Sequence, residues 1–410
     1  MIQAPAGDFG DCGVNRSLFS REFTFASVAY FFVFLSASIF YLFPLFLDQF
    51  HPSKSLVGLI MGVHSVTAIM VRPLFGRLLD KRGGRRVAIG GLLVMIAGMP
   101  GFYLIDSAGM LAIFLRALNG IGWGVSTTAL LAICSDLSPA DRMAHSLGII
   151  GVAGIISSAL GPVLAEEVLH RSGFHAVFSM SLAALVLAVA FVFAIKAAPP
   201  CQSPLKPGQT GHMGAYPVLI IIIIASMPVV HGAVRGTVLN FIALFGASLG
   251  FSRVAPFFLA FSTAAVITRL GIGDISDRYG RKRIIIPSAF LISLNLLWIA
   301  GLHSYWAFLL GGFVAGLGQG LIFPALSTYV IDFLGRENKG LALGLYLSLF
   351  DVGMGLGSPL FGWISDAAGY RTMYVVAGCL SVALTVVFSF KAPVFATLGH
   401  AREIPDDVGL

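Results

Sequence analysis

Four side chains that carry or can carry a charge stand inside long apolar stretches of the sequence: Arg116, His231, Arg235 and Asp351. A charge at such a position is costly, so it must face a cavity or a partner. Asp351 lies about midway along its stretch, in SLFDVGMGLG, and is a candidate for binding and releasing a proton. His231 and Arg235 are four residues apart and therefore share one face of a helix. A protonatable group beside a movable cation is the minimum that proton coupling requires.

Two interpretations of Asp351 are open at this point. In the first, an arginine moves towards and away from the carboxylate and so controls when it holds a proton. In the second, Asp351 and Arg235 form a permanent salt bridge that only fixes the packing of two helices. Arg116 also has a structural alternative, in which its guanidinium braces a backbone carbonyl, because inserting an arginine in mid-span costs about 2.5–3.5 kcal/mol.

The composition places these residues in a membrane protein. Of the 410 residues, 57% are hydrophobic and 11% are charged, and the mean hydropathy is +0.90. A soluble domain has about 25% charged residues, so a water-soluble fold is excluded. Apolar stretches such as FTFASVAYFFVFLSASIFYLFPLFL lack the alternation of a transmembrane barrel. At about 20 residues for each span and about 10 for each connection, the length predicts an all-α membrane protein of about twelve helices.

Breaks at Gly, Pro and charged residues divide the sequence into twelve predicted spans. They cover residues 23–47, 55–78, 87–105, 109–134, 144–166, 174–195, 215–247, 252–273, 283–302, 305–333, 340–364 and 371–391. Basic residues concentrate in the connections on the side of both termini, as at Lys81, Arg86, Arg278 and Lys282. Because cytoplasmic loops are rich in Lys and Arg, both termini are predicted in the cytoplasm, with the chain in the plasma (inner) membrane.

The connection KAAPPCQSPLKPGQTGHMG divides the chain into two halves. Rich in proline and without an apolar run, it is predicted to be a flexible cytoplasmic linker. The expected organisation is a tail at 1–22, a six-helix bundle at 23–195, the linker at 196–214, a second bundle at 215–391 and a tail at 392–410. Residues recur at an offset of 197, as in Arg72 and Arg269 or Pro162 and Pro359. Such duplication is typical of carriers that rock two bundles about a central site.

Two related loops follow the second and eighth spans. GRLLDKRGGRR (76–86) and GDISDRYGRKR (273–283) resemble the cytoplasmic loop signature of the major facilitator superfamily, G-x-L-x-D-R-x-G-R-K. The resemblance implies the major facilitator fold, with 12 transmembrane helices in two pseudo-symmetric six-helix bundles. Each loop aspartate can bind a helix end or an arginine and latch one conformation; alternatively, the basic residues only anchor the loops. The predicted latch residues are Gly76, Asp80, Gly83, Arg85, Gly273, Asp277, Arg278, Gly280 and Arg281.

The fifth and eleventh spans carry glycines and a proline in a pattern similar to that of antiporters in the superfamily, most like the drug:proton antiporter branch. The residues are Gly148, Gly161, Pro162, Gly353, Gly357 and Pro359, with Ser157 and Glu166 as departures. A face of small residues with a proline permits close packing and a bend. Efflux by antiport is therefore favoured, and the alternative is that these are ordinary packing glycines.

The resemblance also implies a proton path and a substrate cavity. RALNG, from Arg116 to Gly120, is similar to a pattern in the fourth span whose arginine is implicated in proton handling. The predicted proton-coupling residues are Asp351, Arg116, Arg235 and His231. The predicted cavity residues are Tyr30, His64, Asn119, Asn240, Gln319, Phe323 and Tyr329, although His64 alone in a span is also consistent with a hydrogen-bonded core residue. Because few of these residues are charged, an amphipathic or zwitterionic substrate is expected. Arg72 and Arg269, one in each half, are assigned to gating or packing.

The sequence thus predicts a secondary transporter, a proton-coupled antiporter that exports small organic molecules by alternating access. A monomer in contact with membrane lipids is expected, with no enzymatic activity and no nucleic-acid partner. The cysteines lie far apart and a nucleotide-binding loop is absent from the sequence, so no metal and no cofactor are expected. One alternative is a proton symporter or facilitator for uptake of a small metabolite. Another is an intramembrane lipid-handling enzyme that uses Asp351 and His231.

Overall fold

The computed structural model describes residues 20–138, 143–196, 217–271, 280–335 and 339–394. Within these ranges the chain is helical and contains no strand. We call residues 20–196 the N-half and residues 217–394 the C-half. The end of the molecule at which Ile195 and Pro217 flank the linker is the linker end, and the opposite end is the far end.

Six helices form the N-half. They are α1 (Arg21–Ile39), α2 (Phe43–Asp48), α3 (Lys54–Arg82), α4 (Gly84–Gly98), α5 (Met110–Leu137) and α6 (Met143–Ala194). A short 3-10 turn, Phe40–Leu42, joins α1 to α2 just before Pro44. The first predicted span is therefore one helical segment whose middle turn is 3-10 helix. A second 3-10 segment, Met99–Leu104, extends α4 to the far end.

The described residues of the C-half form five helices. They are α7 (Val218–Ser248), α8 (Ala255–Gly271), α9 (Arg281–Ala300), α10 (Tyr305–Leu334) and α11 (Lys339–Lys391). The bounds of the helices follow the predicted spans within a few residues, and one long helix in each half contains two predicted spans joined at a glycine with a non-helical backbone. These two helices are α6 and α11.

The two longest helices each change direction at a glycine. Gly173 in α6 has φ 76° and Gly369 in α11 has φ 81°, a left-handed backbone that glycine adopts without strain. Each helix is therefore divided into two arms that cross the molecule in opposite directions. In the described ranges, nine helices are long and apolar enough to span a membrane, and α8 supplies a shorter apolar helix at Ala255–Arg269. With α6 and α11 each counted as two arms, this layout fits the predicted two-bundle fold of twelve segments.

Packing inside each half pairs equivalent helices, α1 with α6 and α7 with α11. Between the halves, the main contacts are those of α3 with α11 and α6 with α8. Close approach of α3 and α11 depends on glycine. A Cβ atom on Gly62 would overlap the carbonyl oxygen of Gly355, and a Cβ on Gly58 would overlap the backbone of Ser358. Without a side chain at these positions the two backbones can touch, as in other membrane helix pairs.

Candidate substrate and proton site

A cavity of about 320 Å³ lies between the two halves, within the size range of small-molecule sites. Residues of both halves line it. The polar and charged lining residues are Tyr30, Tyr41, His64, Ser65, Arg72, Arg116, Thr127, Ser158, Arg235, Asn240, Ser262, Arg269, Gln319 and Asp351. Phe34, Phe40, Trp123, Phe261, Phe323 and Phe350 add an aromatic wall. The cavity is thus positioned where a carrier that rocks two bundles needs its substrate site.

Asp351 forms an ion pair with Arg72 across the two halves. The Arg72 guanidinium on α3 donates to the Asp351 carboxylate on α11, with the side chains 22% and 10% exposed. The predicted pairing of Asp351 with Arg235 is therefore wrong in this structure. Arg235 lies on α7 with its guanidinium over the ring of Phe261, at 5.4 Å from the ring centre. The correct partner comes from the other half because α3 and α11 pack directly against each other.

Every arginine of the cavity lies over an aromatic ring. Arg116 lies 5.2 Å from the ring centre of Phe40, and Arg269 lies 5.7 Å from that of Phe323. Arg72, which also binds Asp351, lies 5.5 Å from Trp123. A guanidinium over a ring face is attracted by the electrons of the ring, so these aromatic residues hold the cations in place.

The charge of the cavity was underestimated from the sequence. Four arginines line it, Arg72, Arg116, Arg235 and Arg269, against the single carboxylate of Asp351. The expectation that few lining residues are charged is therefore wrong. Arg72 and Arg269, which we assigned to gating or packing, reach the cavity wall. Each interrupts an apolar stretch, the same signal that identified Arg116, and their offset of 197 residues could have placed them together as a pair.

Of the predicted cavity residues, five line it: Tyr30, His64, Asn240, Gln319 and Phe323. The other two do not. Asn119 is buried at 2% exposure, and Tyr329 donates through its hydroxyl to the carbonyl of Pro393 at 2.8 Å. Asn119 lies one turn after Arg116 on α5, and Tyr329 lies beyond Phe323 on α10, so a position on a lining helix does not ensure that a side chain reaches the cavity.

His231 also lies away from the central cavity. Its ring packs against Phe350 at 5.3 Å between ring centres, and it borders a much smaller pocket together with Met227 and Thr385. Its Nε2 atom is buried, and in the part of the chain that the structure describes it has no hydrogen-bond partner. His231 and Arg235 share α7, as predicted, but only Arg235 reaches the cavity.

The antiporter-like pattern packs mostly inside its own half. A Cβ on Gly161 would overlap Ser38 of α1, and Cβ atoms on Gly353 and Gly357 would overlap Val229 and Ala233 of α7. Pro359 differs, because it contacts Gly58 of the other half. A Cβ on Gly148 would contact no described atom within 4 Å.

The loop motifs are described only in part. Gly273, Asp277 and Arg278 lie outside the described residues, as does the side chain of Asp80, whereas Gly76 lies within α3. Gly83 and Gly280, with φ 78° and 91°, stand directly before α4 and α9. The latch therefore stays a prediction.

The described basic residues of the loops bind their own half. Arg85 donates to the carbonyl of Phe193 at 2.7 Å. Arg281 donates to the carbonyl of Thr328 at 2.6 Å and forms an ion pair with Asp332. These contacts attach each loop to the bundle from which it emerges.

At the far end, three carboxylates connect the halves. Glu167 of α6 forms an exposed ion pair with Arg253 of the C-half at 3.4 Å, and two further carboxylates, which sequence reasoning missed, cap helices of the opposite half. Glu166 of α6 accepts the backbone N–H groups of Val254 and Ala255, at 2.6 and 3.2 Å, where α8 begins. Asp366 of α11 accepts those of Lys54 and Ser55, at 2.5 and 2.8 Å, where α3 begins. A carboxylate at a helix start is stabilised by the free N–H groups there. Each half thus caps a helix of the other.

The chain is similar to known transporters. It is 28% identical over 352 residues to an uncharacterized MFS-type transporter of Pseudomonas aeruginosa, covering 82% of this chain and 83% of that protein. It is 22% identical over 371 residues to the staphylopine export protein of Staphylococcus aureus, covering 83% and 88%. It is 26% identical over 353 residues to the MFS-type transporter YhhS of Escherichia coli, covering 82% and 83%.

Solved structures have the same fold. A POT family transporter in complex with 5-aminolevulinic acid superposes with a TM-score of 0.77 at 13% identity, covering 93% of this chain and 99% of that one. The nucleoside transporter NupG superposes with a TM-score of 0.72 at 16% identity, covering 90% and 99%. The family model of the Major Facilitator Superfamily matches residues 26–294 and 257–403. The protein is therefore an integral membrane transporter that belongs to the Major Facilitator Superfamily.

Proposed function

We propose that this transporter is a proton-coupled antiporter that exports small organic molecules by alternating access. The observation that carries the proposal is the ion pair of Arg72 and Asp351, which joins the two halves at the wall of the cavity. A proton and Arg72 compete for the same carboxylate. Proton binding therefore weakens a contact between the halves, and this links proton uptake to their relative movement.

The contacts at the two ends of the molecule support alternating access. At the far end, Glu166 and Asp366 bind helices of the opposite half. At the linker end, the contacts of Arg85, Arg281 and Lys282 join segments of one half. This arrangement suits a conformation that is closed at the far end. If the linker is cytoplasmic, as the basic loops predict, Asp351 is paired with Arg72 in the form that faces the cytoplasm.

Export is the direction that this pairing favours. In the cytoplasm-facing form Arg72 displaces the proton, so Asp351 releases it there and binds the next one after the halves have moved. Proton entry then drives exit of the organic molecule. The staphylopine export protein is named as an exporter and resembles this chain over most of its length. The glycine and proline pattern of α6 and α11 also favours antiport.

The proposal can be tested by distances between spin labels in the purified full chain. Ser107 and Ser304 are exposed far-end positions in the two halves, and Ala194 and Lys391 are exposed linker-end positions. Each pair is converted to cysteine in a background whose native cysteines are replaced by serine. On lowering the pH from about 7.5 to about 4, near the ordinary pKa of an aspartate, we expect the far-end distance to lengthen and the linker-end distance to shorten.

The decisive variant is Asp351→Asn, which removes the titrating group. At both pH values, the distances in this variant should match those of the wild type at low pH. In inverted, energised vesicles, the variant should show no proton movement on addition of substrate. The matched control is Asp106→Asn in an exposed far-end loop, which should behave as the wild type. An Asp351→Asn variant with the pH response of the wild type would exclude Asp351 as the coupling site.

A further inference from the structure

The cavity holds positive charges that no carboxylate among the described residues balances. Arg116, Arg235 and Arg269 all line it. Among the described residues, none of the three forms an ion pair with a carboxylate. Asp351, the carboxylate of the cavity wall, is already bound to Arg72. A guanidinium in a protein interior is costly without an anionic partner, so a site that keeps three of them favours an anionic ligand.

The three cations form two groups, one in each half. Arg235 of α7 and Arg269 of α8 lie close enough for their charges to interact. Arg116 of α5 belongs to the N-half and faces His64 of α3. An anionic group bound between Arg235 and Arg269 would leave the charge of Arg116, in the other half, to be balanced by a second group. Two anionic groups on one molecule could satisfy both, because the molecule would then lie across the cavity from one half to the other.

The remaining wall selects for an apolar body between the charged groups. Phe34 and Trp123 of the N-half and Phe261 of the C-half line the cavity beside the arginines. Tyr41 lies against Phe258 at the boundary of the halves, at 5.4 Å between ring centres. Aromatic walls bind flat or apolar groups through buried surface and stacking. The volume of about 320 Å³ is sufficient for a small organic molecule.

We propose that the substrate is an organic dianion, a molecule with two acidic groups on an apolar or aromatic body. Arg235 and Arg269 bind one acidic group, and Arg116 binds the other. This inference rests on the proposed transport function and specifies the substrate class of the same cavity. It replaces the zwitterion expected from the sequence, because a cationic group in the substrate would meet the like charges of the arginines.

The dianion also has a mechanical effect. The positive charges of Arg116 and of the pair Arg235 and Arg269 repel one another when the halves close around an empty cavity. A dianion between them replaces this repulsion by attraction on both sides. The halves therefore close around the site more easily with the substrate than without it. A transporter that exchanges substrate for protons needs this property, because closure around an empty site would let protons pass without export of substrate.

The test measures thermal unfolding of the full chain in detergent with matched aromatic compounds. Terephthalate and the longer biphenyl dicarboxylate carry two acidic groups, benzoate carries one, terephthalamide is the neutral match, and para-xylylenediamine is the dication. We expect at least one dicarboxylate to raise Tm by about 3 °C or more at millimolar concentration. Benzoate should raise Tm less, and the neutral and dicationic compounds should leave it unchanged. Inorganic phosphate should also leave it unchanged, because it lacks the apolar body.

Variants then assign the acidic groups to the arginines. Arg116→Gln and Arg235→Gln should each weaken dicarboxylate binding by about tenfold or more, the usual loss for a charge-assisted hydrogen bond. Arg116→Lys and Arg235→Lys keep the charge and should retain part of the affinity, which separates loss of binding from loss of folding. The matched control is Arg21→Gln. Arg21 also lies over a phenylalanine ring, Phe25, but it is exposed and outside the cavity, so its removal should leave affinity unchanged.

The inference is overturned if both dicarboxylates stabilise the protein no more than terephthalamide, or if the dication stabilises it more. It is also overturned if phosphate alone gives the full effect, because the site would then bind a simple inorganic anion. The spin-label experiment separates this failure from that of the proposed function. If the pH-driven movement is present and is lost in Asp351→Asn, but no dicarboxylate binds, the antiporter proposal stands and the dianion proposal is wrong. If a dicarboxylate binds but no pH-driven movement occurs, the dianion proposal stands and proton coupling is excluded.

Discussion

The carboxylate of Glu166 accepts the backbone N–H of Val254 at 2.6 Å, and this bond connects α6 of the N-half to the start of α8 in the C-half. Glu166 is buried at 5% exposure, so water does not compete effectively for its oxygen atoms. Asp366 makes the reciprocal contact with the start of α3. The two carboxylates thus connect the halves through backbone N–H groups, beside the exposed ion pair of Glu167 with Arg253.

Removal of the Glu166 carboxylate should open the far end. In Glu166→Ala the start of α8 loses a charge-assisted bond worth about 1.5–3 kcal/mol. The fraction of molecules with a long distance between labels at Ser107 and Ser304 should therefore rise about tenfold or more. The neighbouring Glu167→Ala is the control, since Glu167 forms exposed ion pairs with Arg171 and Arg253 that contribute about 0–1 kcal/mol. Equal effects of the two variants would contradict the role given to Glu166.

A methyl group between α3 and α11 should prevent closure of the far end. In Gly62→Ala the new Cβ would meet the Gly355 carbonyl oxygen at the helix interface, so the helices must separate. We expect the far-end distance to lengthen and the rate of substrate exchange in proteoliposomes to fall at least about tenfold, because overpacking costs about 1–3 kcal/mol. Gly90→Ala on α4 is the matched control, because a Cβ there would contact no described atom within 4 Å. A Gly62→Ala variant with normal exchange would show that the contact is dispensable.

Arg72 and Asp351 should behave as a coupled pair in a double-mutant cycle. Arg72→Gln and Asp351→Asn each leave one buried charge without its partner, which costs about 3–5 kcal/mol. The variant with both changes leaves neither charge, so its loss of Tm should be smaller than the sum of the two single losses. Thermal unfolding of the four proteins checks this. Strictly additive losses would indicate that the two side chains do not stabilise the structure through each other.

Replacing the two loop aspartates by asparagine should weaken the predicted latch at the linker end. The variant Asp80→Asn with Asp277→Asn keeps the size of both side chains but removes the charges predicted to bind helix ends or arginines. We expect fewer molecules with a short distance between labels at Ala194 and Lys391, by about two- to fivefold, as for the loss of about 0.5–1 kcal/mol. If the distances match those of Asp106→Asn, the loops act only as anchors and the latch is excluded.

The fold could be predicted from the sequence because lipid imposes a simple rule. Long apolar stretches must form helices, and the 197-residue offset exposes the two halves. The separate spans expected on either side of Gly173 and Gly369 correspond to the two arms of α6 and of α11; the sequence did not show that a single glycine with a non-helical backbone joins the arms. The positions of Arg116, Arg235 and Asp351 were also predictable, since a charge in an apolar stretch is visible in any sequence.

The partners of these charges were not predictable. Arg72 and Asp351 are 279 residues apart and meet only because α3 and α11 cross at Gly62 and Gly355. Helix rotation and depth decide whether a side chain enters the cavity, and Tyr329, whose hydroxyl binds the carbonyl of Pro393, shows that a polar residue on a lining helix can face elsewhere. The apolar face of a membrane helix does not indicate which side chains enter the cavity, because such a helix is hydrophobic both on the side that faces lipid and on the side that faces protein.

The turns at Gly173 and Gly369 join the two arms of each long helix through a single residue with a non-helical backbone. The two arms of α6 together hold 52 residues, and no loop separates them. Glu166, near the turn of α6, and Ala194, at the tip of its second arm, therefore belong to one helical hairpin. If each hairpin tilts as one body with its half, opening of the far end is accompanied by closing of the linker end.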